Sequence, residues 1–344
     1  MSIVSVSVNS SQSKRDRPAA AYVSWQQALK DAVRDARDLC QMVGIPAPRG
    51  MNAGERDFPV FVPRGYIARM RHGDPNDPLL RQVLPLAAEG DSVPGYSCDP
   101  VGDVAAAVAP GLLHKYSGRV LIVATPTCAV HCRYCFRRHF PYAEDGKFFH
   151  DWQPALRHIE ADRSIREVIL SGGDPLTIVD ERLAELARRL AAIEHVTRLR
   201  VHTRVPIMIP ERVTDELIGW LRGTRLTPIL VLHVNHAQEV DEHVGRALAR
   251  LIDAGIPLLN QAVLLAGVND NLAALVALSE RLVALRIMPY YLHQLDPVAG
   301  AAHFEVDHER GAELVEQMRA QLPGYAVPRY VCEVAGAANK LPIV

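Results

Sequence analysis

Residues 128 to 140 read CAVHCRYCFRRHF, which places three thiols, Cys128, Cys132 and Cys135, within eight positions. The chain opens MSIVSVSVNSSQSKRDRPAA, a short β-like alternation followed by a polar stretch. It lacks the continuous apolar run of a secretion signal, so a reducing, cytoplasmic location is expected. Clustered cysteines there read as a metal or catalytic site, not as disulfides. A closed structural zinc site takes four protein ligands. Three thiols at C-x3-C-x2-C spacing fit a [4Fe–4S] cluster better, with one iron left open to a substrate or cofactor. A zinc site completed by His131 or His139 is the alternative. Cys40, Cys98 and Cys332 are scattered and read as small buried hydrophobes.

Such a loop needs a scaffold, and the pattern from residue 119 onward supplies one. The apolar runs RVLIVAT, REVILSG, TRLRVHT, TPILVLHVN, IPLLNQAVLLA and IMPYYLHQL alternate with amphipathic stretches near 151–162, 180–193, 210–222, 239–254, 271–285 and 307–321. Parallel strands need helical crossovers, so six such units predict a parallel sheet. Each strand ends in something chemical. The first runs into Thr127 and the cysteines, the second into Ser171-Gly172-Gly173-Asp174 and the third into His202 and Arg204. The rest end in His233, Asn235 and His236, then Gln261, then His293, Gln294 and Asp296. Carboxyl strand ends carry the active site in β/α barrels. Six units instead of eight predict an incomplete, open-sided (β/α)6 barrel.

Four segments are expected: a flexible tail at 1–18, a mainly helical accessory region at 19–110, the α/β partial barrel at 111–335 and a C-terminal segment at 336–344. Within the accessory region, Ser24 to Val43 has helical periodicity behind a serine N-cap candidate. Residues 55–110 are proline-rich with short helical pieces. A formal charge of −1 argues against a general nucleic-acid binder. No apolar run approaches the ~18 residues that span a bilayer. Five lysines stand against 33 arginines, which makes each lysine worth a separate question.

The cysteine spacing, with Tyr134 just before the last thiol, resembles the radical S-adenosylmethionine (SAM) superfamily. The resemblance implies that Cys128, Cys132 and Cys135 each hold one iron, that SAM chelates the fourth, and that Tyr134 packs near the cluster or the adenine. The SGGDPL stretch after the second strand matches the superfamily's SAM-contacting glycine pair. This implies SAM contacts for Ser171, Gly172, Gly173 and Asp174, with glycine allowing close backbone approach. Further stretches (VHTRVPIMIPERVT, HVNHAQE, NQAVLLAGVND, MPYYLHQLDPVAGAAHF and NKLPIV) resemble the lysine 2,3-aminomutase family, from about residue 60 to the end.

That family uses pyridoxal 5′-phosphate (PLP) beside SAM. A lysine so close to the end would on its own read as a solvated tail residue. Lys340, however, aligns with the Lys-x-Pro segment that carries the family's PLP lysine. The glycine-rich run before it is here AGAAN, with Gly336 alone retained. Tyr116 and Arg119 match positions near the PLP phosphate, and His233 and Gln261 match SAM-contacting positions. Arg137 matches the arginine that binds the substrate α-carboxylate, whose planar fork suits bidentate contact. Arg138 reads as a structural or surface charge. Asp296 and Glu333 match the two acidic positions that receive a side-chain ammonium, Glu333 being one methylene longer than the family's residue. The implied reaction moves the amino group of L-lysine from C2 to C3.

The stretches DPNDPLLRQVLP and CRYCFRRHFPYAE resemble the bacterial branch that makes (R)-β-lysine for elongation factor P, where a separate ligase attaches it. The chain stops four residues after Lys340, without the cysteine-bearing extension of the catabolic enzymes. The resemblance further implies a flavodoxin- or ferredoxin-type reductant and no membrane or nucleic-acid partner. A short mutase making free β-lysine for catabolism or osmolyte synthesis, and a non-mutase iron–sulfur protein, are the alternatives.

Overall fold

A computed structural model describes residues 23–51, 54, 58–142 and 151–344. The expected tail at 1–18 lies outside them. One ten-stranded sheet runs in chain order. Its heart is the six expected strands, β3 (Arg119–Thr125), β4 (Glu167–Gly172), β5 (Arg198–Thr203), β6 (Thr227–His233), β7 (Leu258–Val263) and β8 (Met288–His293), all parallel to one another. Six crossover helices connect and follow them: Gln153–Ala161, Asp180–Ala192, Asp215–Arg222, Glu242–Asp253, Leu272–Ala284 and His308–Gln321. The middle of β4, Val168 to Ser171, is buried on both faces, as expected of a parallel strand roofed by helices.

Four further strands complete the sheet. β1 (Ala107–Ala109) and β2 (Leu112–Tyr116) add antiparallel at one edge. β9 (Arg329–Cys332) adds a seventh parallel strand after β8, and β10 (Leu341–Pro342) pairs antiparallel with it. Short length and polar content (LLHKY, RYVC) hide these from a periodicity reading. They matter because β2 and β10 deliver Lys115, Tyr116 and Lys340 to the sheet's two ends.

The single helix expected from Ser24 to Val43 is two. Ser24 does cap Trp25–Lys30 through Gln27 N. The chain then extends, so that Val33 exchanges both backbone hydrogen bonds with Val62, at 2.8 and 2.9 Å. Asp35 starts a second helix, Ala36–Val43, by accepting from Arg37 N and Asp38 N. Two aspartates that favour caps over helix interiors, together with a β-branched valine at the break, outweigh the apolar periodicity. One buried cluster joins this layer (Val33, Leu39, Tyr66, Leu79) to the barrel (Leu170, Val201, Leu230, Leu292). Of the scattered cysteines, Cys40 is buried as expected, whereas Cys98 is exposed and Cys332 half-buried. Among the described residues, no helix is long and apolar enough to cross a membrane.

Candidate active site

The cysteine loop leaves β3 at its carboxyl end and is held there by β4 and β5. Gly172, at φ +110°, follows the last buried residue of β4, and a Cβ on it would sit 2.9 Å from Thr125 O. One on Gly173 would sit 2.4 Å from Thr127 O. The backbone closes the same gap, with Gly173 N donating to Thr125 O (2.7 Å) and Asp174 N to Thr127 O (2.8 Å). The approach that requires two glycines is therefore that of the chain to itself, beneath the cysteine loop. Asp174 is held by the chain in a similar way. Its buried carboxylate accepts from Thr203 Oγ1 (2.7 Å), Arg204 N (2.6 Å), Val205 N (3.1 Å) and Leu176 N (3.1 Å). These four donors tie the turn after β4 to the end of β5, so the side chain positions the backbone beneath the cysteine loop. Burial nevertheless pushes its carboxyl up to about 6 against those donors.

All three thiols are reduced and half-buried. Burial and the neighbouring thiols push Cys135 up to about 11 and Cys128 well above its usual range. Thiols so arranged gain most from a bound cation, which favours the thiolate. Cys132 Sγ accepts from Arg204 Nη1 (2.8 Å), and the same nitrogen reaches Tyr134 OH (2.7 Å). Tyr134 also accepts from Asn235 Nδ2 (2.7 Å) and meets Phe304 edge-on at 6.1 Å. Its hydroxyl thus anchors the loop to the ends of β5 and β6.

The two adjacent arginines part company. Arg138 joins Arg133 on the buried carboxylate of Glu89, in the accessory layer. Arg137 begins a ladder of charges that leads across the site. Its Nη1 donates to Ser171 Oγ (3.2 Å) and its Nε to Asp103 Oδ2 (2.7 Å). The other Asp103 oxygen lies 2.6 Å from Lys115 Nζ, which in turn donates to Glu333 Oε1 (2.9 Å). The second oxygen of Glu333 pairs with Lys340 Nζ. Asp103 carries no signal in the sequence and Lys115 only its scarcity as a lysine, yet together they link the cysteine-loop arginine to the C-terminal lysine. Against burial, Lys340 and Lys115 hold Glu333 down at about 2. Arg137 and Lys115 likewise keep Asp103 below the usual carboxylate range. Asp296 has no such ion pair among the described residues. Burial and the negative charge of Glu333 push it up to about 7.

Register brings the remaining positions together. His233 and Gln261 are cross-strand partners on β6 and β7, and their side chains touch. Burial drives His233 down to about 3. Tyr116 and Arg119 face each other across the β2–β3 turn, with the guanidinium 4.5 Å over the ring. Tyr116 also hydrogen-bonds Glu333. Two imidazole nitrogens, His202 Nε2 and His293 Nε2, are buried without a partner among the described residues. Both rings feel the charge of Lys340, and both are held neutral by burial first. Before Lys340, Gly336 (φ +80°) is the third residue of a turn closed by Ala337 N to Val334 O at 3.1 Å. This explains why one glycine suffices in AGAAN, since only that position needs the left-handed region.

The Radical SAM superfamily model matches residues 122–278. L-lysine 2,3-aminomutase of Escherichia coli is 45% identical over 322 residues, covering 93% of this chain and 94% of that protein. The Haemophilus influenzae enzyme of the same name is 42% identical over 319 residues, covering 92% and 94%. That of Clostridium subterminale is 32% identical over 334 residues, covering 96% and 80%. The chain belongs to the lysine 2,3-aminomutase family. It is therefore an isomerase of the radical SAM class, and the family implies a [4Fe–4S] cluster and SAM.

The residues present fit what a lysine 2,3-aminomutase of this class must hold. Three thiols share one loop with no disulfide, and the two orphaned imidazole nitrogens call for a polar ligand inside the barrel. Asp103 keeps the interior's cations in order, which yields a first prediction. Asp103→Asn removes the charge between Arg137 and Lys115 at constant size, and a charge-assisted hydrogen bond contributes about 1.5–3 kcal/mol. The KM for the amino acid is expected to rise roughly 10- to 100-fold, with kcat changing less. Steady-state kinetics check this, and an unchanged KM would leave Asp103 with a purely structural part.

Proposed function

We propose that this enzyme converts L-lysine to (R)-β-lysine with PLP held at Lys340, as a cytoplasmic reaction supplying β-lysine for attachment to elongation factor P. The observation that carries the reading is the convergence, in one barrel interior, of an amine (Lys340), a buried guanidinium (Arg137) and two carboxyl groups, Asp296 raised and Glu333 lowered from the usual range. When bound, the cluster and SAM would supply a carbon radical, and PLP would supply a ring able to stabilise an unpaired electron next to the migrating nitrogen.

The chain's own residues do the binding and orienting. Cys128, Cys132 and Cys135 would ligate the cluster. His233, Gln261, Ser171 and the backbone near Gly172 and Gly173 would line the SAM side, with Tyr134 and Asp174 bracing them. Arg119, which has no ion-pair partner among the described residues, would meet the PLP phosphate beside Tyr116. Arg137 would fix the α-carboxylate, using the donors that Asp103 leaves free. Asp296 and Glu333 would receive the ε-ammonium. Lysine suits two acids better than a neutral or acidic side chain does.

The raised Asp296 gives a pH prediction. A carboxyl that ionises near 7 when folded and near 4 when unfolded penalises the folded state as pH rises between those values, at about 1.4 kcal/mol for each pH unit crossed. Asp296→Asn should therefore raise the melting temperature of the ligand-free protein at pH 8 and leave it nearly unchanged at pH 4. The same variant should bind lysine more weakly at pH 8, while wild-type KM rises as pH falls below about 7. Melting curves and KM at the two ends of that range decide. Loss of both stability and affinity at pH 8 would mean that Asp296 is an ordinary structural carboxylate.

The elongation-factor assignment is supported by the stretches DPNDPLLRQVLP and CRYCFRRHFPYAE. It is tested by product chirality and onward use. The product should be the R enantiomer and should be attached to elongation factor P by its ligase, read as a mass shift of the factor. An S product that the ligase ignores would instead assign the enzyme to free β-lysine metabolism.

A further inference from the structure

Away from the cysteine loop, β2 and the helix Gln153–Ala161 bring a second set of metal-binding groups together. His114 on β2, His158 in that helix and Asp162 at its C-cap offer ligand atoms that all lie within 4.8 Å of one another. His158 and Asp162 are four apart, on one face of the helix end, where i and i+4 side chains meet. The two imidazoles meet edge-on, 6.2 Å between centroids. Neither makes a side-chain hydrogen bond among the described residues. All three side chains are half-buried, between the helix and the sheet edge.

The carboxylate is already aimed. Ser164 N donates to Asp162 Oδ1 at 2.9 Å, and the Ser164 hydroxyl bonds the same carboxylate. Orienting hydrogen bonds of this kind, one layer behind the ligand, are the usual companion of a metal site. The backbone is fixed as well. Arg166 N donates to Gly118 O at 2.8 Å, tying the turn after the helix to the β2–β3 hairpin. Ile159 and Leu156 bury the helix against the core. Closing the ligand atoms to the roughly 3–3.5 Å spacing of a tetrahedral site asks only for rotation of half-buried side chains on rigid elements.

We propose that His114, His158 and Asp162 form a divalent transition-metal site, of the zinc, cobalt or nickel class, distinct from the iron–sulfur loop. Two imidazoles and a carboxylate are a borderline N2O donor set that suits those ions over magnesium or calcium, with water completing the shell. The ion clamps the crossover helix to β2. The next residue along that strand, Lys115, stands in the charge ladder of the active site, so the clamp steadies the strand that carries it. This inference stands apart from the lysine reading, because none of its ligands lies in the proposed catalytic machinery.

The test uses the cluster-loaded enzyme, freed of loose metal by a chelator and titrated anaerobically with zinc chloride in a calorimeter. One equivalent should bind. His114→Asn and His158→Asn should each weaken binding by at least about tenfold, and Ser164→Ala by a similar factor, the effect expected of an orienting neighbour. Zinc should also raise the melting temperature of the wild type and not of the histidine variants. A full-length variant with Cys128, Cys132 and Cys135 replaced by alanine should keep the same zinc affinity, separating this site from thiol binding. In that variant, cobalt should give a d–d spectrum without sulfur charge-transfer bands. The proposal is overturned if no zinc binds. It is equally overturned if the variants bind it as the wild type does, an adventitious ion only, or if uptake disappears with the cysteines.

Discussion

A Lys340→Ala variant is expected to lose lysine rearrangement by on the order of a thousandfold or more, the scale that accompanies loss of a covalent group, while remaining folded. The second half of that statement is what makes the first informative. The side chain is partly exposed, at 21%, so no cavity opens when it is cut back. The segment is held by β10, whose Leu341 and Pro342 pair with Cys332 and Val331. Glu333 would keep Lys115 as a counter-ion at 2.9 Å, so its buried charge is not abandoned. Borohydride reduction in the presence of PLP should label the wild type and not the variant. Lys340→Arg, which preserves the ion pair with Glu333 but cannot form the covalent link, should be as inactive as the alanine variant. Activity in the arginine variant would mean that Lys340 acts only as a charge.

The largest stability effect is expected from Arg204→Met. Arg204 is buried, and its Nη2 donates to Gln82 Oε1 (2.6 Å) and Glu239 Oε2 (2.8 Å) while Nη1 serves Cys132 and Tyr134. Glu239 is wholly buried. The other partners of its carboxylate are neutral donors, Gln82 Nε2 (3.1 Å), Asn235 N (2.9 Å) and His236 N (3.1 Å), while Arg69 donates to its backbone carbonyl. Removing the guanidinium strands that carboxylate, and breaking a buried pair from one side costs about 3–5 kcal/mol. For a chain of this size that is a fall in melting temperature of about 4–7 °C. The companion Glu239→Gln substitution should recover part of the loss, giving a coupling energy by double-mutant cycle. The cysteine loop should respond too, because Tyr134 and Cys132 lose their shared donor, so iron incorporation on reconstitution should fall. A change in melting temperature of only a degree or two would show that Glu239 is satisfied without Arg204.

These two residues also mark how far the sequence could be read. The three thiols, the six parallel strands and the habit of polar residues at strand ends were legible because each is local, a spacing or a period. Lys340 was singled out by the resemblance of its NKLPIV segment, and the scarcity of lysine added weight to it. The same scarcity, applied to Lys115, one of only four others, would have pointed to the middle of the charge ladder. Asp103 gave no such handle. It sits in a glycine- and proline-containing loop, and its partners are 12 and 34 residues away in sequence. The link from Lys115 to Glu333 spans 218 positions. Pairings of that range are set by strand order, and strand order depended on β2, β9 and β10, which are too short to show a period.

The glycine pair illustrates a different limit. Gly172 and Gly173 were recognisable as places of close approach, but sequence cannot say what approaches. Here it is the carbonyls of Thr125 and Thr127. The Asp174 carboxylate likewise meets four donors from the chain itself. Residue type predicted the demand for space and charge in both cases, and the tertiary contacts decided who met it.

Lysine rearrangement itself is decided by an anaerobic assay of the reconstituted enzyme with reductant, SAM, PLP and L-lysine, followed by chiral analysis of the product. The expected product is (R)-β-lysine, formed only when SAM and PLP are both present and absent with Lys340→Ala. Turnover of arginine or glutamate in place of lysine, or lysine rearrangement that proceeds without PLP, would contradict the assignment of Lys340, Arg137, Asp296 and Glu333 to one lysine-binding, PLP-dependent site.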